Sequence, residues 1–226
     1  MRVPGPRVRA LLGPALLWLV VSAATVAAME STTAPEPTAA PAATTVSENP
    51  AAESNLAQQI EAFHETLAGL ADLADGPARR AQLAPRVESL FDMPLIARLS
   101  LGLRWRELSA EDQQAFITAL RAVVVATYSA RFARPSTARF ELLETVAGRR
   151  GPVVRSRIAR SDGSAVPLDY HFRNGKIYNV VADGVSDLSL RRADYSGVLK
   201  QEGYAALRSH MDAQRTALEK EDDESE

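Results

Sequence analysis

The chain of 226 residues contains no cysteine. Disulfide bonds, thiolate metal sites and cysteine nucleophiles are therefore excluded, and so is a lipoprotein anchor attached through a cysteine. Histidine is also scarce, because the chain has only His64, His171 and His210. These three residues fall on different predicted elements and lack the spacing of metal ligands. The sequence therefore predicts neither a metal site nor a cofactor.

Motifs for nucleotide hydrolysis and for a serine nucleophile are missing as well. The sequence has neither a G-x-x-x-x-G-K-[ST] loop nor a G-x-S-x-G turn. The one enzymatic candidate is Asp169 with His171, which share a face of a predicted strand and resemble an acid–base pair. The opposite face of that strand is apolar and should meet the interior. We therefore predict a solvated pair and no enzyme; a small pocket enzyme using Asp169 and His171 is the alternative.

The N-terminus has the layout of an export signal. Arg2, Arg7 and Arg9 precede an apolar stretch over residues 10–21, and Val26-Ala27-Ala28 offers small residues for cleavage after Ala28. This pattern predicts a signal peptide over residues 1–28 and a periplasmic protein. The alternative is an uncleaved anchor, since residues 10–29 approach the length of about 20 residues that spans a membrane.

Two segments of biased composition flank the predicted domain. Residues 29–52 are mainly Ala, Thr, Pro and Glu without an aromatic residue, which predicts a disordered linker. Residues 219–226 contain six acidic residues and one lysine, which predicts a disordered acidic tail. Residues 53–218 are then one domain.

The charge balance argues against nucleic acid as a partner. Loss of the three arginines in residues 1–28 leaves 23 basic and 28 acidic residues. Most of the acidic excess falls in the tail, so the predicted domain is close to neutral. Binding to nucleic acid needs a clustered basic face.

Apolar residues recur with helical spacing up to about residue 132 and again near the C-terminus. Asp92 and Ser109 are predicted N-caps, and Gly102 is predicted to end the helix that Asp92 begins. Gly203 should interrupt the last helical region. The predicted helices cover residues 53–74, 78–90, 92–101, 109–134 and 187–218.

The hydrophobic period changes to two after residue 138, which predicts strands over residues 139–146, 153–160, 166–173 and 176–185. Asn174-Gly175 is typical of a tight hairpin turn. In the third strand the apolar residues alternate with polar ones, so one face of the sheet should be covered. The sequence predicts an α+β fold: a curved antiparallel four-stranded sheet with helices packed on one face, enclosing an apolar cavity.

Several separate segments resemble one known family. They are Leu90-Phe91-Asp92, Ala97-Arg98-Leu99, Leu101-Gly102 with Trp105-Arg106, Thr127-Tyr128, Val166-Pro167-Leu168-Asp169-Tyr170 and Lys176-Ile177-Tyr178-Asn179-Val180-Val181. On these residues the chain resembles the MlaC-type periplasmic phospholipid-binding proteins, also called toluene-tolerance proteins, over roughly residues 56–211. It departs from their pattern at Leu103-Arg104 and at Asp187, Leu190 and Arg191.

The resemblance implies a soluble lipid carrier without catalytic activity. Such a carrier moves phospholipid between an outer-membrane lipoprotein complex and an inner-membrane ABC transporter complex, and so supports outer-membrane lipid asymmetry. We expect a monomer with phospholipid or a related lipid as its ligand. A non-lipid adaptor that binds an envelope complex through the acidic tail is a further alternative.

The predicted site consists of apolar residues from the helices and the inner face of the sheet. Twelve are predicted to line or back the cavity and to bind lipid: Leu95, Leu99, Phe116, Leu120, Val124, Tyr128, Phe140, Leu142, Ile158, Leu168, Tyr170 and Phe172. Arg98, Arg104 and Arg106 are candidate contacts for the lipid headgroup. Ion pairs of these arginines with Glu107 or Glu111 are the alternative.

Overall fold

Four helices, a five-stranded sheet and a long closing helix follow one another in residues 50–225, which are the residues that the computed structural model describes. The first helices are α1 (Pro50–Ala68), α2 (Gly76–Leu90), α3 (Met93–Leu101) and α4 (Ala110–Arg131). The strands are β1 (Arg139–Gly148), β2 (Gly151–Ala159), β3 (Ala165–Arg173), β4 (Lys176–Ala182) and β5 (Val185–Ser186), and they are followed by α5 (Asp187–Asp223). Short 3-10 helices occupy Leu70–Asp72 and Gly102–Glu107. This order confirms the predicted α+β class.

The predicted signal peptide, residues 1–28, and residues 29–49 of the predicted linker lie outside the described residues. The prediction for the last three linker residues was wrong, because α1 already begins at Pro50. Proline is tolerated at the first position of a helix, and the two alanines after it are strong helix formers. Glu53 in the first turn adds a favourable interaction with the helix dipole. None of the described helices is both long enough and apolar enough to span a membrane.

Local capping interactions begin and end the helices largely as predicted. The side chains of Asp92 and Ser109 each accept a hydrogen bond from the backbone N–H three residues later, at 3.0 Å in both cases. Gly102 ends α3 with a positive φ of 58°. Gly203 breaks the helical backbone inside α5, where its φ is 86°. These features confirm the two predicted caps, the end of α3 and the break in α5.

The sheet is an antiparallel meander in the order β1-β2-β3-β4-β5. Asn174 and Gly175 both have positive φ, at 50° and 76°, which is the backbone of a tight hairpin turn. Asp183 and Gly184 repeat these values at 50° and 76°. The predicted fourth strand therefore ends at Ala182, and the chain turns back to form β5. The prediction of four strands was wrong, because Asp183 and Gly184 form a turn and a short fifth strand follows it.

One face of the sheet packs on the helices. Along β3, Val166, Leu168, Tyr170 and Phe172 are buried, whereas the alternate side chains are exposed or half-buried. Helix α1 lies against β1 and β2, and helices α3 and α5 lie against β4. The buried residues of helices and sheet form one continuous apolar core. The alternation in β3 thus separates a covered face from a face in contact with water, as the sequence predicts.

The C-terminal acidic residues are part of the fold. Helix α5 continues to Asp223, and the side chain of Asp222 is completely buried. Its carboxylate accepts hydrogen bonds from Arg79 Nε at 2.7 Å, Arg80 Nη1 at 2.6 Å and Ser129 Oγ at 2.6 Å. The prediction of a disordered tail from residue 219 was wrong, because two arginines and a hydroxyl satisfy this buried charge.

Candidate functional site

A small pocket lies where α3, α4, α5 and β4 meet. Its volume is about 20 Å³, which is roughly the space of one water molecule. The pocket is therefore much smaller than the predicted lipid cavity, because helices and sheet are closely packed around it. Its apolar and aromatic wall consists of Phe91, Ile96, Val124, Tyr128, Tyr178, Val180 and Leu188, and its polar lining consists of Asn179, Asp187 and Arg191.

The polar end of the pocket is built by the first turns of α5. Arg191 Nε lies 2.7 Å from Asp187 Oδ2, and the Arg191 side chain is only 11% exposed. Arg191 also contacts the hydroxyl of Tyr195. Burial, and secondarily the charge of Asp187, raise the pKa of Tyr128 above its usual range, so its phenol stays protonated. The pocket thus combines an apolar wall with a nearly buried guanidinium and a neutral hydroxyl.

A short strand and the side chain of Asn179 connect β4 to the start of α5. Strand β5 makes two pairings with β4, Val181 with Ser186 and Ala182 with Val185. Asn179 Oδ1 accepts hydrogen bonds from Ser186 Oγ at 2.9 Å and from the Leu188 backbone N–H at 3.1 Å. Asn179 therefore positions the start of α5 at the edge of the pocket.

Three aromatic rings separate this pocket from an open groove between α1 and α2. The centroid of Phe63 lies 5.3 Å from that of Tyr128 and 5.8 Å from that of Phe91, with edge-to-face geometry in both pairs. The groove has a volume of about 400 Å³, and its wall mixes polar and apolar side chains. It is lined by Asn55, Gln58, Gln59, Ala62, Phe63, Arg86, Ser89 and Leu90. Phe63 borders the groove, and Phe91 and Tyr128 border the inner pocket.

The twelve predicted lipid-binding residues occupy different environments. Val124 and Tyr128 line the inner pocket. Leu142 is 39% exposed on β1, an outer strand of the sheet. The others do not line the pocket: Leu95, Phe116, Leu120, Ile158, Leu168, Tyr170 and Phe172 are buried in the core, and Leu99 and Phe140 are half-buried against it. Lipid binding by these residues stays a prediction.

The three predicted headgroup arginines lie outside the pocket. Arg98, Arg104 and Arg106 are exposed at the end of α3 and in the 3-10 helix that follows. Arg104 Nη1 lies 2.7 Å from Glu107 Oε2, which is the ion pair considered as the alternative. Headgroup contact by these arginines also stays a prediction.

Some pocket residues were not predicted as site residues. Asp187 and Arg191 are two of the positions at which the sequence departs from the family pattern. They have opposite charges and are four residues apart, which predicts an ion pair on the surface of a helix. Tyr178 is harder to predict because the register of β3 and β4 shifts beside it, between His171 and Phe172. Ile177 and Tyr178 are consequently both buried, which breaks the simple alternation of the strand.

Asp169 and His171 lie on the face of β3 that is directed away from the core. Both side chains are half-buried. The His171 ring packs edge-to-face against Tyr178, with 6.2 Å between the ring centroids. Burial lowers the pKa of His171, and the charge of Asp169 partly opposes this shift. Within residues 50–225, no hydrogen bond joins the two side chains, and no cluster of three acidic or histidine side chains is arranged to hold a metal ion.

Comparisons with known proteins agree with this architecture. The phospholipid-binding protein from Ralstonia solanacearum, solved in complex with a phospholipid, is similar in structure with a TM-score of 0.62 and 19% sequence identity. The match covers 74% of this chain and 98% of that chain, and at this identity it establishes the fold. No curated protein matches the chain. The model of the MlaC protein family matches residues 58–213, more than half of the sequence, and the chain therefore belongs to the MlaC family.

Proposed function

We propose that this protein binds phospholipid and carries it through the periplasm as a monomer. Its proposed docking partners are an outer-membrane lipoprotein complex and an inner-membrane ABC transporter complex. The observation that carries the proposal is the family match over residues 58–213. The inner pocket supports it, because an apolar wall with one charged end suits an amphipathic ligand.

The free energy of hydration explains why a carrier is needed. An acyl chain with a dozen methylenes costs on the order of 10 kcal/mol when it is exposed to water, at ~0.8 kcal/mol per methylene. A carrier must therefore enclose the chain and leave the charged headgroup near solvent. In this fold, the interface between the helices and the covered face of the sheet offers the largest apolar surface for that purpose.

Entry of an acyl chain requires the pocket of about 20 Å³ to widen. We expect the corner formed by β4, β5 and the start of α5 to move, because β5 is short and makes only two pairings with β4, supplemented by the hydrogen bond from Ser186 to Asn179. Displacement of Leu188 there would extend the pocket toward the surface. Arg191 would then exchange its contact with Asp187 for the lipid phosphate, a charge-assisted hydrogen bond of similar geometry.

Two alternatives fit the described residues less well. An acid–base enzyme would need Asp169 and His171 in the pocket, but these residues lie on the opposite face of β3 from the core. An adaptor that binds through a free acidic tail would need residues 219–226 to be detached from the domain, but α5 continues to Asp223 and Asp222 is buried against Arg79. We therefore propose a binding protein without catalytic activity.

Native purification followed by lipid extraction and mass spectrometry tests the proposal directly. The full chain is expressed in bacterial cells, and the periplasmic fraction is collected for this purpose. We expect mature protein cleaved after Ala28 that contains phospholipid. Protein that contains no lipid and also fails to bind added fluorescent phospholipid would refute the carrier function.

A matched pair of variants tests the position of the site. Val124→Phe fills the inner pocket, and we expect phospholipid affinity to fall at least about tenfold. Leu143→Phe makes a similar change at a residue of β1 that is 53% exposed, and its affinity should match the wild type. Circular dichroism confirms that both variants are folded. Equal affinities of the two variants would place the lipid elsewhere.

A further inference from the structure

Leu103 is the most exposed of the large apolar side chains in residues 50–225, at 80% of its surface. It lies in the 3-10 helix Gly102–Glu107, which follows α3. Gly102 has a positive φ of 58°, so the chain turns sharply immediately before Leu103. Single exposed leucines are common on protein surfaces, and the significance of this one depends on its neighbours.

Four arginines lie close to Leu103 in the chain or beside the residue that precedes it. Arg98, Arg104 and Arg106 are exposed on the same short stretch of chain. Arg192 of α5 approaches from another element: its Nη2 lies 3.5 Å from the position that a Cβ atom on Gly102 would occupy. We call Leu103 with these four arginines the basic tip.

Acidic residues offset this charge only in part. Glu107 pairs with Arg104 at 2.7 Å, and Glu111 and Asp112 follow at the start of α4. The Asp112 carboxylate accepts a hydrogen bond from Ser109 Oγ at 2.8 Å. Four arginines against these three acids make the tip locally basic, whereas the whole chain has a formal net charge of −2.

The basic tip lies beside the polar end of the inner pocket. Arg191 lines the pocket, and the next residue of α5, Arg192, belongs to the tip. Helix α3 also connects the two, because Ile96 lines the pocket and Gly102 ends the helix. A surface that docks on the tip is therefore close to the corner where we expect a lipid to enter.

We propose that the basic tip docks on the surface of an anionic phospholipid bilayer. Leu103 inserts at the boundary between headgroups and acyl chains, and the arginines contact lipid phosphates, for which the planar guanidinium is well suited. A protein partner fits less well, because specific protein interfaces bury about 800 Å² per partner around an apolar centre. One projecting leucine among cations matches the chemistry of a membrane surface better.

Cosedimentation of the mature protein with vesicles tests this proposal. One set of vesicles contains phosphatidylcholine alone, and the other contains phosphatidylcholine and phosphatidylglycerol in about equal amounts. We expect binding to the anionic vesicles only, and it should weaken as salt screens the charges. Equal binding to both sets, or no binding to the anionic set, would overturn the proposal.

Substitutions in the tip test which residues make the contact. Arg192→Gln should weaken vesicle binding about fivefold and Leu103→Asn about tenfold. The matched controls are Arg157→Gln and Leu143→Asn, which change an exposed arginine and an exposed leucine on the sheet. The proposal fails if the controls weaken binding as much as the tip variants do, or if the tip variants bind like the wild type.

A separate assay distinguishes docking from lipid carriage. Binding of a monomeric, short-chain fluorescent phospholipid is measured for the wild type and both tip variants in the absence of vesicles. We expect the tip variants to retain this affinity while they lose affinity for vesicles. Parallel losses in the two assays would assign Leu103 and Arg192 to the lipid site and overturn their role in docking.

Discussion

The carboxylate of Asp222 lies 2.7 Å from Nε of Arg79, and both side chains are almost completely removed from solvent. The two residues are 143 positions apart in the sequence. Arg79 also donates a hydrogen bond from Nη2 to the backbone carbonyl of Asp222 at 2.6 Å. This contact fixes the C-terminal end of α5 to α2, so the acidic end of the chain contributes to the stability of the domain.

Substitution of Asp222 tests that contribution. Asp222→Ala leaves the buried guanidinium of Arg79 without its counter-charge, and we expect a loss of about 3–5 kcal/mol in the free energy of unfolding. Urea unfolding followed by circular dichroism measures the change. Glu224→Ala is the matched control, because its pair with Lys220 is exposed and longer, at 3.6 Å, and should contribute less than about 0.5 kcal/mol. Similar stabilities for the two variants would contradict a structural role for Asp222.

Local interactions made much of this fold predictable from sequence. Asp92 and Ser109 cap helices through bonds to a backbone N–H three residues away, so the signal and its partner are neighbours in the chain. Asn174-Gly175 encodes its turn in two residues. Asp222 is the opposite case. The composition of residues 219–226 is typical of a disordered tail, and the partner of Asp222 is on a helix that is distant in the sequence. Nothing in residues 219–226 alone identifies that partner.

The candidate site was less predictable than the fold. Apolar alternation identifies Tyr170 and Phe172 as inward residues, but it does not distinguish a residue that lines a pocket from one that fills the core. The register shift beside Tyr178 depends on how two strands pair, which periodicity along one strand does not contain. Helical spacing does predict Val124 and Tyr128 as site residues, because they lie on the apolar face of the long helix α4, which borders the pocket.

Two predicted cavity residues should differ strongly in their contribution to stability. Phe172 is completely buried, and Phe172→Ala should cost about 3–5 kcal/mol because it leaves a cavity in the core. Leu142 is 39% exposed, and Leu142→Ala should cost about 1 kcal/mol because less apolar surface is lost from the interior. Chemical denaturation of both variants measures the difference. If Phe172→Ala loses as little stability as Leu142→Ala, Phe172 faces open space rather than packed side chains.

His64 is a buried histidine of α1 that contacts side chains of β1 and β3. Its Nε2 lies 2.9 Å from the hydroxyl of Tyr170, and its ring stacks on Phe140 with a centroid distance of 4.2 Å. Burial lowers the pKa of His64 to about 4 and raises that of Tyr170 well above its usual range. Both groups are therefore neutral in the folded protein at neutral pH.

The lowered pKa of His64 predicts a pH-dependent stability. The unfolded chain binds a proton at this residue below about pH 6.5, whereas the folded protein does so only below about pH 4. Between these values protonation favours the unfolded state, so stability falls as the pH falls. We expect His64 to account for a loss of about 2 kcal/mol between about pH 7.5 and about pH 5. Urea unfolding of the wild type and of His64→Gln at both pH values isolates this contribution, since carboxylates titrate equally in the two proteins. If the two proteins lose the same free energy on acidification, His64 does not carry this dependence.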